Sequence, residues 1–212
     1  FCGLDFIVTP QVLIPRSPLA ELIVEKFSPW LGPEDGCRVL DMCTGGGCIA
    51  IAMAVYMPEC SVDAVDISLE ALAVAAQNSA RHAVAERVRL IHSDLFTALG
   101  EATYDLIVSN PPYVAAEVFA QLPAEYRAEP SAGLVSGEDG LDIVLKILGA
   151  APGYLKQRGI LVVEVGESAQ TLQEILPRVP FFWLDFDAGG DGIFLLEYDQ
   201  LIACREDVRA IL

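Results

Sequence analysis

The polar and apolar positions change period along the chain. Short apolar blocks bounded by Gly, Pro and Asp alternate with longer stretches whose apolar residues recur every three or four positions. Residues 38–41, 61–66, 88–92, 104–109 and 160–165 read as strands. Between them, 47–56 reads as a buried helix, 69–83 as an alanine-rich helix, 141–156 as a long helix and 172–176 as helical. Residues 181–186 and 193–198 read as a closing strand pair, joined by Ala188-Gly189-Gly190-Asp191-Gly192. Upstream, β-formers flank Thr9-Pro10 within 4–14 and predict a short β-hairpin or extended arm. Pro15, Pro18 and the spacing Leu19, Leu22, Ile23, Phe27 then predict a linking helix that ends before Gly32-Pro33.

Seven strands with helical crossovers predict an α/β chain, a doubly wound and mostly parallel sheet of Rossmann-like type. The closing pair has too few joining residues for a crossover helix, so the last strand should run antiparallel. The expected organisation is 1–32 as β-hairpin arm and linking helix, and 33–212 as the main domain. Ligands of such sheets sit beyond the carboxyl ends of the strands, where the strand order reverses. Candidate chemistry is therefore sought at strand ends.

Composition changes the picture in three ways. The 212 residues are 53% hydrophobic, ample for a core and contrary to disorder. Carboxylates outnumber Lys and Arg 30 to 13, for a net charge of −17. No Lys or Arg falls between Val39 and Ala80 or between Leu90 and Tyr126, the two stretches with most of the motifs. A duplex-DNA grip needs cations to displace phosphate counterions, so direct DNA binding is not expected. The acidity is a solubilising surface or suits a basic partner. The longest apolar run, residues 49–57, is too short for a membrane span, and the first residues lack the signal-peptide pattern. Cys2, Cys37, Cys43, Cys48, Cys60 and Cys204 form no CxxC pair and no zinc-finger spacing, so no metal site is expected. Reduced, mostly buried thiols in a cytoplasmic protein are the expectation.

Three strand ends carry an acid. The first runs Asp41-Met42-Cys43-Thr44-Gly45-Gly46-Gly47 straight into a helix. Glycines at such a turn let backbone approach a ligand closely. By itself this could be an ordinary tight turn. Asp66, with Ile67 after it, ends the second strand where an acceptor for ribose hydroxyls is wanted, and Ser68 is placed to take the alternative role of helix cap. Asp94-Leu95 follows the third strand, as a turn or helix cap or, as in methyltransferases, with the acid facing an adenine amino group and the next residue packing on the ring. An acidic, Lys-free pocket suits S-adenosylmethionine, with its sulfonium and ammonium charges and no pyrophosphate, better than it suits a dinucleotide. Asp41 would lie near the ammonium, directly or through water, and the amides after Gly45 would meet the carboxylate.

The fourth strand ends in Ser109-Asn110-Pro111-Pro112-Tyr113. The Asn110 side-chain oxygen and the Pro111 carbonyl can each accept one hydrogen of a planar NH2 group, while Pro112 and Pro111 keep the turn stiff. That aligns a poor nitrogen nucleophile and stabilises positive charge growing on it. Tyr113 offers a face for stacking on a planar amide or ring.

With these motifs the chain resembles the bacterial glutamine N-methyltransferases that modify translation proteins, and the resemblance runs nearly end to end. It rests on Gly3-Leu4, Val12-Leu13-Ile14-Pro15-Arg16, the glycine loop, Asp66-Ile67-Ser68, Asn110 to Tyr113, Gly137-Glu138-Asp139-Gly140-Leu141-Asp142 and Glu164-Val165-Gly166. The tetrapeptide alone is shared with DNA adenine methyltransferases; its combination with residues 12–16 is more specific. The resemblance implies a class I methyltransferase fold, S-adenosylmethionine as cofactor and a glutamine amide as target. It implies Arg16 in a loop closing over the cofactor, with Glu129-Pro130 and residues 137–142 shaping the same rim; Asp139 is alternatively a helix cap. One branch of the family modifies release factors and another a basic ribosomal protein of the large subunit. Ser17-Pro18 and Asp191-Gly192-Ile193-Phe194-Leu195-Leu196 look like the ribosomal-protein branch. Cys43 stands where many methyltransferases have glycine. The family's N-terminal helical domain, which helps bind protein substrates, is expected to be absent from residues 1–212.

Overall fold

The computed structural model describes residues 1–32, 36–114, 136–137, 139–187 and 189–212. Seven strands form one sheet in the order β3-β2-β1-β4-β5-β7-β6: β1 Arg38–Met42, β2 Ser61–Asp66, β3 Val88–His92, β4 Tyr104–Ser109, β5 Leu155–Glu164, β6 Phe182–Trp183 and β7 Ile193–Glu197. The pairings among β1 to β5 are parallel, and β7 runs antiparallel to both β5 and β6. The expected mostly parallel sheet with a reversed last strand is what forms. β1 pairs with β2 on one side and β4 on the other, so the winding direction reverses there.

Strand periodicity sorts the core into two layers. Leu40, Met42, Ile107, Leu161 and Val163 face one layer; Val39, Leu106, Val108, Ile160 and Val162 face the other. The first layer is closed by α4 (Asp142–Ala150), α5 (Ala169–Ile175), α6 (Tyr198–Ala203) and α7 (Arg205–Arg209). The second is closed by α1 (Leu19–Val24) and α2 (Cys48–Tyr56). Leu19, Ile23 and Phe27 are wholly buried there, each contributing roughly 1.5–3 kcal/mol relative to exposure. α2 is apolar on every side, and its alanines let it sit close to the sheet. α3 (Leu69–Arg81) begins at Ser68, whose Oγ accepts from the Ala71 amide at 3.1 Å.

Several expected elements differ. The helix expected over 141–156 stops at Ala150. Pro152 cannot donate into a continuing helix, and a 3₁₀ turn over Ala151–Gly153 feeds β5, which starts at Leu155 rather than 160. β5 begins at buried Leu155 opposite Tyr104, but the next three residues are polar and exposed, so the strand's start carries no apolar run. The closing pair is shorter than its pattern, and the tail after β7 folds into α6 and α7. Cys37 and Cys60 are joined as a disulfide rather than standing as reduced thiols. The starts of β1 and β2 bring their Cα atoms to 4.6 Å, and the Ser61 amide donates to the Cys37 carbonyl.

The arm takes the extended form. Residues 1–18 contain no strand, and the β-hairpin alternative is absent. Besides turns within the arm, side chains on or next to neighbouring helices bind its backbone. Asn78, 1% exposed on α3, accepts from the Ile7 amide at 2.7 Å and donates to the Ile7 carbonyl at 3.1 Å and the Gly46 carbonyl at 2.9 Å. Tyr56 donates to the Cys2 carbonyl at 2.8 Å, and the His82 ring meets the Asp5 carbonyl at 2.9 Å. Val12 and Ile7 pack on Ala71 and Val74. One buried amide thus holds both the arm and the glycine loop. Asn78→Ala is expected to lower stability by about 1–3 kcal/mol, because buried backbone groups lose their partners. Urea unfolding would measure this, with faster amide exchange at Ile7 as its local signature.

Candidate active site

A cavity of about 430 Å³ opens at the carboxyl ends of β1, β2, β3 and β4, at the reversal in strand order. Cys43, Thr44, Gly45, Gly46, Asp66, Ile67, Asp94 and Leu95 line one part; Asn110, Pro111, Pro112 and Tyr113 line another. Arm residues 11–17, Arg16 included, form a further wall. The candidates drawn from three loops, the tetrapeptide and the arm therefore share one space. Two do not reach it. Asp41 is fully buried beneath the loop. Gly47, at φ 80°, lies where a Cβ would come within 3.0 Å of Ala75 and Ile51, so it serves the packing of α2 against α3. Glu129, Pro130 and Glu138 lie outside the described residues. Within the 137–142 turn, Asp139 accepts from the Leu141 amide at 3.0 Å without capping the helix, whose N-cap is Leu141, and Ile143 just beyond lines the cavity.

The loop geometry follows from its residues. Cys43 adopts φ 62° and Gly45 φ 54°, both left-handed. For Cys43 this costs roughly 1–2 kcal/mol, which explains why glycine suits that position. A Cβ on Gly45 would meet nothing within 4 Å, so the backbone there is open toward the cavity. Asp66 is tied at both oxygens: Oδ2 accepts from the Gly45 amide and Oδ1 from the Ser68 amide, each at 2.8 Å. It holds the glycine loop against β2 and keeps remaining lone pairs for a ligand. Asp94 is exposed and makes no side-chain hydrogen bond within the described structure. Burial pushes the thiols of Cys43 and Cys48 far up, with Asp66 and Asp41 respectively adding to it, which disfavours the thiolate form.

At the other wall, Ser109 donates to the Met42 carbonyl at 2.7 Å and locks the end of β4 to β1. The Asn110 amide is half-buried and makes no side-chain bond to the described residues. Tyr113 is seated by glycines. A Cβ on Gly166 would come within 2.7 Å of its ring, and one on Gly140 within 2.2 Å of its carbonyl. Ser168 donates to that carbonyl at 3.0 Å, and the Tyr113 hydroxyl donates to Glu164 at 3.0 Å. Sequence reasoning did not single out Glu164 or Asn78 as site residues. Both were visible as polar residues at positions whose period points inward, at the end of an apolar strand and on the inner face of α3.

Asp41 Oδ2 accepts from Thr44 Oγ1 at 2.6 Å and from the Ala50 amide at 3.0 Å, while Oδ1 has no partner among the described residues. Burial raises its carboxyl to about 7, against those two bonds. A proton on Oδ1 leaves both accepted bonds intact. Between the ordinary aspartate value and about pH 7 the folded chain then holds a proton that the unfolded chain has released. This contribution is full at low pH and is lost as pH rises through about 7. Urea midpoints are expected to fall between pH 5 and 7.5, with a shallower fall in Asp41→Asn. Equal slopes in the two proteins would count against the buried proton.

The methyltransferase small domain model matches residues 20–125. The chain is 54% identical over 204 residues to the ribosomal protein uL3 glutamine methyltransferase of Xanthomonas campestris pv. campestris, covering 96% of this chain and 66% of that protein. The protein of the same name from Xylella fastidiosa is 49% identical over 211 residues, covering 100% of this chain and 67% of the relative. The chain thus spans about two thirds of the length of these relatives. Among solved structures, a methyltransferase from Pyrococcus furiosus aligns at TM-score 0.66 and 22% identity, over 92% of this chain and 89% of that one. The hMettl16 catalytic domain aligns at TM-score 0.70 and 19% identity, over 92% and 75%. These two share the fold. The chain belongs to the methyltransferase small domain family and stands within it beside the ribosomal protein uL3 glutamine methyltransferases.

Proposed function

We propose that the protein transfers a methyl group from S-adenosylmethionine to the side-chain amide nitrogen of a glutamine in ribosomal protein uL3. One observation carries this reading: the Asn110-Pro111-Pro112-Tyr113 turn and the glycine loop with Asp66 and Asp94 face the same cavity. The names of the relatives supply the protein substrate. The net charge of −17 suits a basic partner. A cytoplasmic setting follows from a ribosomal substrate, and no helix among the described residues is long and apolar enough to cross a membrane.

The residues fit the cofactor. Arg16 is the sole cation among the described lining residues, while Asp66 and Asp94 are the acids, a balance suited to a ligand bearing sulfonium and ammonium charges. Gly45 and Gly46 present backbone to the cavity, Asp66 offers acceptors for ribose hydroxyls, and Asp94 with Leu95 and Ile67 flanks the place for a base. Asp41 acts from below by fixing Thr44 and the first turn of α2. When bound, the cofactor supplies a methyl group on a sulfonium, an excellent leaving group.

The chain's own task is to place and polarise the acceptor nitrogen. Asn110 Oδ1 accepts one amide hydrogen and the Pro111 carbonyl the other, which turns the nitrogen lone pair toward the methyl carbon and stabilises its growing charge. Tyr113 supports the planar amide. No general base is required before transfer, because the methylated amide sheds its proton readily.

Mass spectrometry after reaction with uL3 and, separately, with a release factor tests the substrate. Mass gain on a uL3 glutamine is expected. Gain on the release factor alone would reassign the substrate, and modification of neither would refute both. For the mechanism, Asn110→Ala is expected to slow single-turnover transfer roughly 10²–10³-fold at saturating cofactor. Asn110→Asp, which keeps an acceptor oxygen, should retain more activity. Equal rates for Ala and wild type would eliminate the positioning role.

A further inference from the structure

Glu164 ends β5 beside the end of β4 and is 4% exposed. Its two oxygens serve two different parts of the site. Oε2 accepts from the Ser17 hydroxyl at 2.5 Å, at the end of the arm wall. Oε1 accepts from the Tyr113 hydroxyl at 3.0 Å, on the target side. No cation pairs with it within the described structure. Burial pushes its carboxyl up, and the two hydroxyl bonds only partly oppose that. A buried carboxylate without a counter-charge is costly and does little for stability alone. Its base is rigid: β5 is paired on both sides, and the Val165 amide donates to the Gly192 carbonyl at 2.7 Å.

The same arm is held at its other end by Asn78, which also holds Gly46 of the cofactor loop. Ser17 Oγ further accepts from the Leu19 amide at 3.2 Å, so the hydroxyl that bonds Glu164 also fixes the start of α1. Movement of the arm's final residues therefore strains the Glu164 bond, and Glu164 is the group that holds the Tyr113 hydroxyl.

We propose that Glu164 is a positioning residue that latches the arm to Tyr113, so that closing the cofactor wall and orienting the acceptor amide become one event. The proposal rests on the methyl-transfer reading for its consequence, and on geometry alone for the latch. Ser17 does not line the acceptor turn, yet its loss is felt there through Glu164.

Ser17→Ala, Tyr113→Phe and the double variant test it, each made in the wild-type and Glu164→Gln backgrounds. Each single change removes one hydroxyl that a carboxylate accepts. Either is expected to lower kcat for uL3 methylation about tenfold at saturating cofactor. The double variant should be little worse than either single, because each alone releases the latch. That non-additivity should weaken in Glu164→Gln, whose amide accepts from one hydroxyl and can only donate to the other. A structural role alone would lower the melting temperature of each variant while leaving kcat of the folded enzyme intact. Multiplicative losses, or a Ser17→Ala enzyme with changed cofactor KM and unchanged kcat, would overturn the latch. Should neither candidate protein be methylated, the same cycle is read by calorimetry on cofactor affinity. There Tyr113→Phe is expected to weaken binding as Ser17→Ala does, and the pair no further. Multiplicative losses, or no effect of Tyr113→Phe, would reject the latch whatever the substrate is.

Discussion

The constraint beneath the rest of the structure is the double parallel pairing of β1, with β2 on one side and β4 on the other. A parallel strand needs a crossover, and the crossover from β1 to β2 runs opposite to that from β4 to β5, which leaves a crevice between them at the carboxyl ends. Everything chemically distinctive hangs on that crevice. β1 and β2 bring the glycine loop and Asp66 to it, β3 brings Asp94, and β4 brings Asn110. Ser109 binding the Met42 carbonyl fixes the two innermost ends to one another.

The cavity is not a property of the sheet alone, because its outer wall is a segment with no regular secondary structure. Residues 11–17 run without a strand partner, so their neighbours must satisfy their backbone and hold them in place. Two buried side chains flank them: Asn78, bonded to the Ile7 backbone before them, and Glu164, bonded to the Ser17 hydroxyl at their end. Each is a polar group placed where an apolar residue would pack more cheaply. The stability given up there is exchanged for a wall that follows both the glycine loop and the Asn110 to Tyr113 turn.

Close approach is the other recurring cost. Gly140 and Gly166 stand where any side chain would run into Tyr113, and Cys43 accepts a left-handed backbone beside Gly45. The ring and the loop are thereby held by sterics, while hydrogen bonds set their orientation. The acids and the single cation, Arg16, among the described lining residues then set what charge the space favours.

The sequence by itself determined the sheet and the chemistry at its strand ends. Strand period, the short joint before the last strand and the Asn110-Pro111-Pro112-Tyr113 turn are local signals, carried by residues that are neighbours in the chain. The bounds of β2, β3 and β4 were legible for that reason. Where local signals conflicted or were missing, tertiary structure decided. β5 extends back through polar residues because Tyr104 offers it a partner, and the arm stays extended because Asn78 replaces a hairpin strand. Asp41 lies under the loop rather than in the cavity, since the odd positions of β1 face the α2 layer. Cys37 meets Cys60 only once β1 and β2 pair. The joining of Ser17 to Tyr113 through Glu164 spans 147 and 51 residues of sequence. No pattern in the chain encodes such separations; they arise when three distant segments are brought to the same end of one sheet.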